Sequence, residues 1–483
     1  MTDFVSTLNI DLSLILPEII LFTAASLILL LSFMRKASSL AIVLAAAGLA
    51  GAMVVAATQW NVSGNAFSGM VTLDKFGVMF KLLFCLGSLV SLLIAYRYFQ
   101  VKGLERPEFY ALLLFSTLGM MVMATTTDLI VMFLGLEIMS VPLYVMAGFN
   151  RHSAHSNEAG VKYFIMGAFA TAFLLLGIAF IFGASKTTDL RVLTTDYAYF
   201  AARSAGYLYT GVGLVLIGFG FKVAAVPFHA WVPDVYQGAP TPVTAFFSVG
   251  PKAAGVAVLL RIFVFGFGAM PNISTAFWIL AVLTMTVGNI LAVRQDNVKR
   301  MLAYSSIAHA GYILVGLAAG GSEAVSAAIF YLVGYTMFNL GAFAILSALE
   351  MRRGCTCDFS ELTGLGKSNP ILAVLLALFM FALTGFPPTV GFFGKLYIFS
   401  AAVKAGMIGL VVIGVLNSFV SVYYYLRVIK TSFFDDVTSA PSPATVSPAI
   451  MAAIAITAIG TLLLGLFPGQ LLQFSQEALF AAL

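Results

Sequence analysis

The sequence predicts an all-α integral membrane protein of about fourteen transmembrane helices, with two inverted five-helix repeats and two discontinuous helices. The first observation behind this is composition. Of 483 residues, 61% are hydrophobic and 9% charged, with a mean hydropathy of +1.02. A soluble domain carries roughly 25% charged residues. So few charges cannot cover a water-facing surface of this size, which excludes a cytosolic globular enzyme, a disordered chain and a nucleic-acid binder. The second observation is length patterning. A helix needs about 20 apolar residues to cross a bilayer. Such segments lie near 12–34, 37–58, 76–98, 108–125, 128–149, 158–183, 206–238, 242–268, 273–293, 301–320, 323–349, 370–403, 406–430 and 448–470. The third is charge placement. With the N-terminus outside, fourteen Lys and Arg fall on inside loops, and five (Lys75, Lys186, Arg191, Arg203 and Lys404) fall outside. That asymmetry orients the bundle. It also gives the net charge of +5 a cause other than an anionic partner.

Taken in chain order, the first segment is not a cleavable signal peptide. It lacks a basic leader and follows Asp3 and Asp11. Both termini are expected outside, periplasmic in a bacterium. No loop is long enough for a soluble domain. The Ser-, Pro- and Thr-rich stretch from Asp435 to Pro448 reads as a linker before the last helix. The three cysteines, Cys85, Cys355 and Cys357, have no metal-ligand spacing and make no disulfide framework. Asp128 opens the fifth segment as a helix cap.

Six basic residues are left inside the segments: Lys81, Lys162, Lys222, Lys252, Arg261 and Lys395. Glu137 and His309 accompany them. An ionisable group at the bilayer centre costs at least about 2.5–3.5 kcal/mol, so it persists by facing a cavity, pairing or relaying charge. Lys81 and Arg261 lie near segment ends and are expected to snorkel to the interface. Glu18, behind Pro17, is expected to be interfacial. Lys162 follows Glu158 by one helical turn, which suits a local ion pair. Glu137, Lys222, Lys252 and Lys395 lie deeper. A desolvated Lys loses affinity for its proton and an adjacent carboxylate restores it. A Glu–Lys pair whose separation changes is therefore a proton switch, and Glu137 and Lys222 have the residue types for one. His309, in Tyr304-Ser-Ser-Ile-Ala-His309-Ala-Gly-Tyr312, sits beside hydroxyls.

Two segments carry helix breakers in mid-course. One runs Phe221-Lys222-Val-Ala-Ala-Val-Pro227-Phe-His229-Ala-Trp231-Val-Pro233-Asp234, the other Leu383-Thr384-Gly385-Phe-Pro387-Pro388-Thr-Val-Gly391-Phe-Phe-Gly394-Lys395. Proline removes an intrahelical bond. Lipid-facing backbone cannot stay unpaired, so such breaks must face protein or a wet cavity. Broken helices at matching positions point to inverted repeats. Each break falls in the fourth helix of a five-helix unit, and an odd helix number inverts the next unit. The expected division is 1–106 for a three-helix N-terminal segment, 107–270 for the first repeat and input half-channel, 271–434 for the second repeat and output half-channel, and 435–483 for the linker and last helix.

There is no phosphate loop, dinucleotide fingerprint, iron–sulfur cysteine cluster or haem-spaced histidine pair. His152 and His155 fall in an inside loop and read as solvated. No redox centre, bound cofactor or metal is expected in this chain.

The residues that carry chemistry resemble those of the antiporter-like membrane subunits of respiratory complex I, the proton-pumping NADH–quinone oxidoreductase. The resemblance spans nearly the whole chain. Its most specific stretches are Phe133-Leu-Gly-Leu-Glu137, Gly220-Phe-Lys222, the run from Val226 to Val243, the run from Asn297 to Tyr312 containing His309, and Gly391-Phe-Phe-Gly-Lys395. It implies fourteen helices, broken seventh and twelfth helices, and two inverted repeats. It implies that Glu137 and Lys222 form the input switch, with protons entering from the cytoplasmic side towards Lys222. Lys252 and His309 would form the central axis and Lys395 the output group. Lys162 matches a Lys that some members carry in the sixth helix. Two features favour one branch of the family. The chain stops after its fourteenth helix, without the long lateral helix of one sibling, and the twelfth-helix ionisable residue is Lys395, where another sibling has Glu.

The resemblance implies a translocase subunit of the bacterial inner membrane. Its partners would be the other membrane-arm subunits, the peripheral redox arm and membrane lipids. NADH, FMN, iron–sulfur clusters and quinone would be used through other subunits. The alternatives are a subunit of a multisubunit cation/proton antiporter, or of a related hydrogenase- or reduced-deazaflavin-driven membrane complex.

Overall fold

The computed structural model describes residues 10–33, 38–351, 356–435 and 446–479. Asp3, Arg35, Lys36, Arg352, Arg353, Cys355 and most of the expected linker lie outside the described residues. In chain order the bundle begins with α1 (Leu16–Leu31) and α2 (Ser38–Thr58), then a small hairpin of β1 (Gly64–Ala66) and β2 (Val71–Leu73). The first repeat expected from the sequence holds α3 (Lys75–Lys102) before it, then α4 (Pro107–Ala124), α5 (Leu129–Ala147), α6 (Ala154–Ser185), the short α7 (Leu190–Thr195), α8 (Tyr197–Val223), α9 (Trp231–Gly238) and α10 (Thr241–Leu259), which runs into a π turn at Leu260–Gly266. There follow α11 (Ile273–Val293), α12 (Val298–Ala319), α13 (Gly321–Glu350), the one-turn α14 (Leu365–Ser368), α15 (Pro370–Thr384), α16 (Val390–Lys404) and α17 (Ile408–Phe433). The chain ends with α18 (Pro448–Leu466) and α19 (Pro468–Glu477).

Thirteen helices among the described residues are long and apolar enough to cross a membrane. The broken pair α15 and α16 supplies the fourteenth crossing, and α8 with α9 makes the seventh. The hairpin, α7 and α19 were not expected. Each is too short for a periodicity signal, and α19 is amphipathic rather than apolar.

Three helices form the centre. The helices α10, α12 and α13 are buried on nearly every side, whereas α2, α6, α11 and α17 leave most of their surface to lipid. Lipid and protein core are equally apolar, so the segregation follows small residues rather than hydrophobicity. Equivalent close approaches recur. A Cβ on Gly119 or Gly135 would strike the backbone of the facing helix where α4 meets α5. One on Gly288 or Gly311 would do the same where α11 meets α12.

A second matched pair lies at the helix ends. The Asp128 side chain caps α5 through the Ile130 and Val131 N–H groups, and the flanking backbone exchanges Leu129 N→Thr188 O (3.0 Å) and Leu190 N→Thr127 O (2.9 Å). On the opposite face Asn297 caps α12 through Arg300 N, with Val298 N→Cys357 O (2.8 Å) and Phe359 N→Asp296 O (3.0 Å). The same clasp is thus built twice, once by the start of α5 with the chain after α6 and once by the start of α12 with the chain after α13. Below, the face that carries Arg151, Arg294 and Arg300 is called the basic face.

Two intramembrane charges depart from expectation. Lys81 and Arg261 do not snorkel. Lys81 is fully buried and pairs with Glu18 at 2.9 Å, while donating to Leu14 O at 3.3 Å. Glu18 is therefore buried rather than interfacial. Arg261 is 1% exposed and pairs with Asp74, the cap of α3, at 2.8 Å. It also donates to Ala124 O at 2.9 Å and covers the Phe76 ring. A partner on another helix was available to each, and sequence spacing could not show it. Glu18→Ala would leave Lys81 buried and uncompensated, at a cost of about 3–5 kcal/mol. Detergent-titration unfolding should register that loss, and Glu18→Ala/Lys81→Met should recover most of it.

Candidate functional site: a buried line of lysine, histidine and hydroxyl groups

Both breaks leave helix ends in the middle of the bundle, and protein groups meet several of the backbone atoms they free. At the first, α8 ends with Ala224 in the left-handed region (φ 62°). Trp231 Nε1 donates to Phe221 O at 3.0 Å, and Val226 N donates to Thr284 Oγ1 on α11 at 3.0 Å. At the second, Gly385 takes φ 85° and Phe386 N returns to Phe381 O at 3.0 Å. Lys395, one turn into α16, donates back to the last carbonyls of α15, Thr384 O at 2.8 Å and Leu383 O at 3.3 Å. A cation at a helix C-terminus meets the negative end of its dipole.

Lys222, at the end of α8, is 3% exposed. Its Nζ lies 5.2 and 5.4 Å from the Tyr144 and Tyr163 ring centres and 3.4 Å from the Tyr144 hydroxyl. Tyr163 is in turn stacked on Trp231, with centroids 4.4 Å apart. The cation is thus held mainly by aromatic faces. Glu137 stands two turns before Tyr144 on α5, the helix whose Tyr144 contacts Lys222. No ion pair within 4 Å joins the two among the described residues, and Glu137 Oε1 is buried without a hydrogen bond. The tight seat of Lys222 depends on Gly255 of α10. A Cβ there would stand 2.9 Å from the Val223 side chain and 3.5 Å from Lys222 Cβ.

Gly255 is one turn from Lys252, where a row of polar groups begins. Lys252 Nζ donates to the Ser306 carbonyl and hydroxyl, and Tyr335 OH donates to Ser306 Oγ at 2.9 Å. One turn along α12, His309 bonds Tyr331 OH through Nδ1 (2.6 Å) and Tyr425 OH through Nε2 (3.0 Å). Tyr425 also bonds Ser305. Beyond His309 lies Tyr312, whose ring centre is 4.7 Å from Lys395 Nζ. Lys395 donates to Ser418 Oγ of α17 at 2.8 Å. Asn289, Asn417 and Tyr424 extend the polar lining beside it.

Of the expected site residues, the structure brings Lys252, His309 and Lys395 into this line and sets Lys222 at its near end with Glu137 beside it. Lys162 is elsewhere. It pairs with Glu158 at 2.6 Å and with Asp234 at 2.7 Å, and Asp234 also holds Arg300 at 2.7 Å. Its side chain is 41% exposed, so it belongs to an ion-pair network at the basic face. Sequence reading missed the connecting hydroxyls of Tyr144, Tyr331, Tyr335, Tyr425 and Ser418. Tyrosine and serine are ordinary in membrane helices, and only their facing one another marks them. Cys85 and Cys357 are both buried. Among the described residues no group of three His, Cys, Asp or Glu side chains could hold a metal ion.

A polytopic bundle with two mid-membrane breaks, each beside a buried Lys, defines an ion-translocating class of membrane protein. Comparison with known proteins agrees. The family described as NADH:quinone oxidoreductase/Mrp antiporter, TM matches residues 126–421. NADH-quinone oxidoreductase subunit N of Trichlorobacter lovleyi is 47% identical over 97% of both chains, and that of Granulibacter bethesdensis is 42% identical over 97% of this chain and 98% of its own. A chain of respiratory complex I from Thermus thermophilus superposes with a TM-score of 0.80 at 35% identity, covering 95% of this chain and 98% of that one. A chain of the Mrp complex from Dietzia shares the fold, with a TM-score of 0.86 at 24% identity over 97% and 96% of the two chains. The chain belongs to the NADH:quinone oxidoreductase/Mrp antiporter family of membrane subunits, and within it is most like subunit N of NADH–quinone oxidoreductase.

The first break depends on the Val226–Thr284 bond between repeats. Thr284→Val should cost about 1–3 kcal/mol by leaving a buried N–H unpaired, and Thr284→Ser should cost little. Thermal unfolding of the purified protein measures both.

Proposed function

We propose that this chain is a proton-translocating membrane subunit of NADH–quinone oxidoreductase, driven by quinone reduction in other subunits. The observation that carries this reading is the buried line from Lys222 through Lys252 and His309 to Lys395. It is lined by hydroxyls, and among the described residues no carboxylate lies within 4 Å of any of the three lysines. An unpaired Lys in a desolvated site has two protonation states close in energy. It can therefore take up and release a proton as neighbouring charge changes, whereas a salt-bridged Lys is locked in one state.

In this reading Glu137 and Lys222 are the input switch. When Glu137 draws away, the Lys222 cation loses its counter-charge and repels a proton held further along. The interaction of two unit charges is about 4 kcal/mol at 4 Å and an effective dielectric near 20 and falls with distance, so the push depends on how far Glu137 stands from Lys222. Lys252 and His309 are the central relay, with Ser306, Tyr335 and Tyr425 joining them, and Lys395 is the output group. Lys162 is a lower-ranked proton carrier, since its two carboxylates hold it charged. The first repeat, 107–270, contains the input half and the second, 271–434, the output half.

The basic face is cytoplasmic and both termini are periplasmic, which follows from the loop charges. The partners are the other membrane-arm subunits and the redox arm, with lipid around the exposed helices. NADH, FMN, iron–sulfur clusters and quinone are handled by those partners.

The second reading is a cation/proton antiporter subunit, favoured by the close superposition on the Mrp chain. Mild extraction of a tagged chain, followed by mass spectrometry, separates the two. Recovery with flavin and iron–sulfur subunits supports the first, and recovery with small membrane subunits alone supports the second. Lys222→Ala should sharply reduce proton pumping while the complex still assembles. Normal pumping by an assembled Lys222→Ala complex would remove the assignment.

A further inference from the structure

The central helices α10 and α13 carry a second polar feature that the axis does not use. On α10, Thr241, Thr244, Ser248 and Lys252 are spaced three, four and four residues apart, which places them on one helical face. All four are at most 2% exposed. On the antiparallel α13, Glu350, Asn339 and Tyr335 meet them at three levels. Thr241 bonds Glu350, Asn339 Nδ2 donates to Ser248 Oγ at 2.6 Å, and Tyr335 reaches Lys252 through Ser306. Asn339 Oδ1 is buried and makes no hydrogen bond. Thr244 Oγ1 donates to Tyr236 O at 2.9 Å and Ser248 Oγ to Ala245 O at 2.7 Å, so a relay requires these hydroxyls to turn from the backbone towards one another. The rungs are about 5 Å apart at 1.5 Å rise per residue, a gap that one water molecule between hydroxyls spans.

The lower end of this ladder opens to the basic face. Glu350 lines a polar cavity of about 520 Å³. Its carboxylate lies 3.8 Å from Lys299 Nζ, and Lys299 is fixed by donating to Ala239 O at 2.9 Å. Between Lys222 and Lys252, aromatic rings rather than a row of hydroxyls surround the Lys222 amine.

We propose that Lys252 takes its proton from the basic face along this ladder, entering at Glu350, and that Lys222 acts on Lys252 by charge rather than by handing on a proton. The inference rests on the proton-translocating reading above. The Glu350 carboxylate takes a proton from hydronium in the cavity, leaving water. Thr241, Thr244 and Ser248 each accept a proton on oxygen as they release their own towards the bilayer centre. The neutral Lys252 amine ends as an ammonium, and Glu350 is again a carboxylate.

The test uses the whole complex in proteoliposomes, driven by NADH, with protons moved per electron pair read by an internal pH dye. The variants are Glu350→Gln, Glu350→Asp and Ser248→Val, with Lys252→Ala as reference. Glu350→Gln and Ser248→Val should lower the proton yield to the level of Lys252→Ala, and Glu350→Asp should restore it. Unaltered yield in both ladder variants, beside a defective Lys252→Ala, overturns the ladder alone. Normal yield in Lys252→Ala as well overturns the axis and the ladder with it. A loss in Glu350→Gln that Glu350→Asp does not rescue, with normal Ser248→Val, marks Glu350 as structural and overturns the proposal. If Glu350→Gln fails to assemble, the yield of Ser248→Val decides.

Discussion

Hydrocarbon offers no hydrogen bonds, so every backbone N–H and C=O inside the membrane must find a partner in the protein. The rest of this structure follows from that constraint. Two helices that stop in mid-membrane expose carbonyls that would each cost several kcal/mol in lipid. The breaks therefore sit against the bundle interior, and side chains of neighbouring elements meet them there. Lys395 completes the end of α15 and thereby faces Tyr312 and Ser418. Trp231 completes the end of α8 and thereby builds the aromatic wall of Lys222.

The same low dielectric sorts the buried basic residues inside the bundle into two groups. Lys81 and Arg261 each have a carboxylate within 4 Å. Lys222, Lys252 and Lys395 have none among the described residues, and are held instead by hydroxyls, carbonyls and ring faces. A buried charge with a counter-ion is a fastener, since breaking it strands the partner. One held only by dipoles keeps access to its neutral form. Arg261–Asp74 ties the turn after α10 to the start of α3, and Lys81–Glu18 ties α3 to α1, whereas the dipole-held lysines lie on α8, α10 and α16.

The clasp at Asp128 and the glycine approach at Gly119/Gly135 have counterparts at Asn297 and at Gly288/Gly311. Local construction is thus repeated along the chain, and this matches the inverted units that the sequence leads one to expect. The Val226–Thr284 bond ties the first break to α11.

Composition and segment length by themselves determined that the chain is a membrane bundle of about fourteen crossings, because a bilayer sets a minimum apolar length that shows in one dimension. Proline and glycine runs located both breaks for a similar local reason, and the rarity of charge in apolar segments exposed Glu137, Lys222, Lys252, His309 and Lys395. The sequence could not say which helices are central, since lipid and core select the same apolar residues. Nor could it tell Lys81 and Arg261, which find carboxylates on other helices, from the lysines that find none. The Tyr, Ser and Asn side chains that join the axis, and the face on which Thr241, Ser248 and Glu350 meet, were decided by helix packing. Each is unremarkable on its own helix and acquires a partner only when a second helix is laid against it.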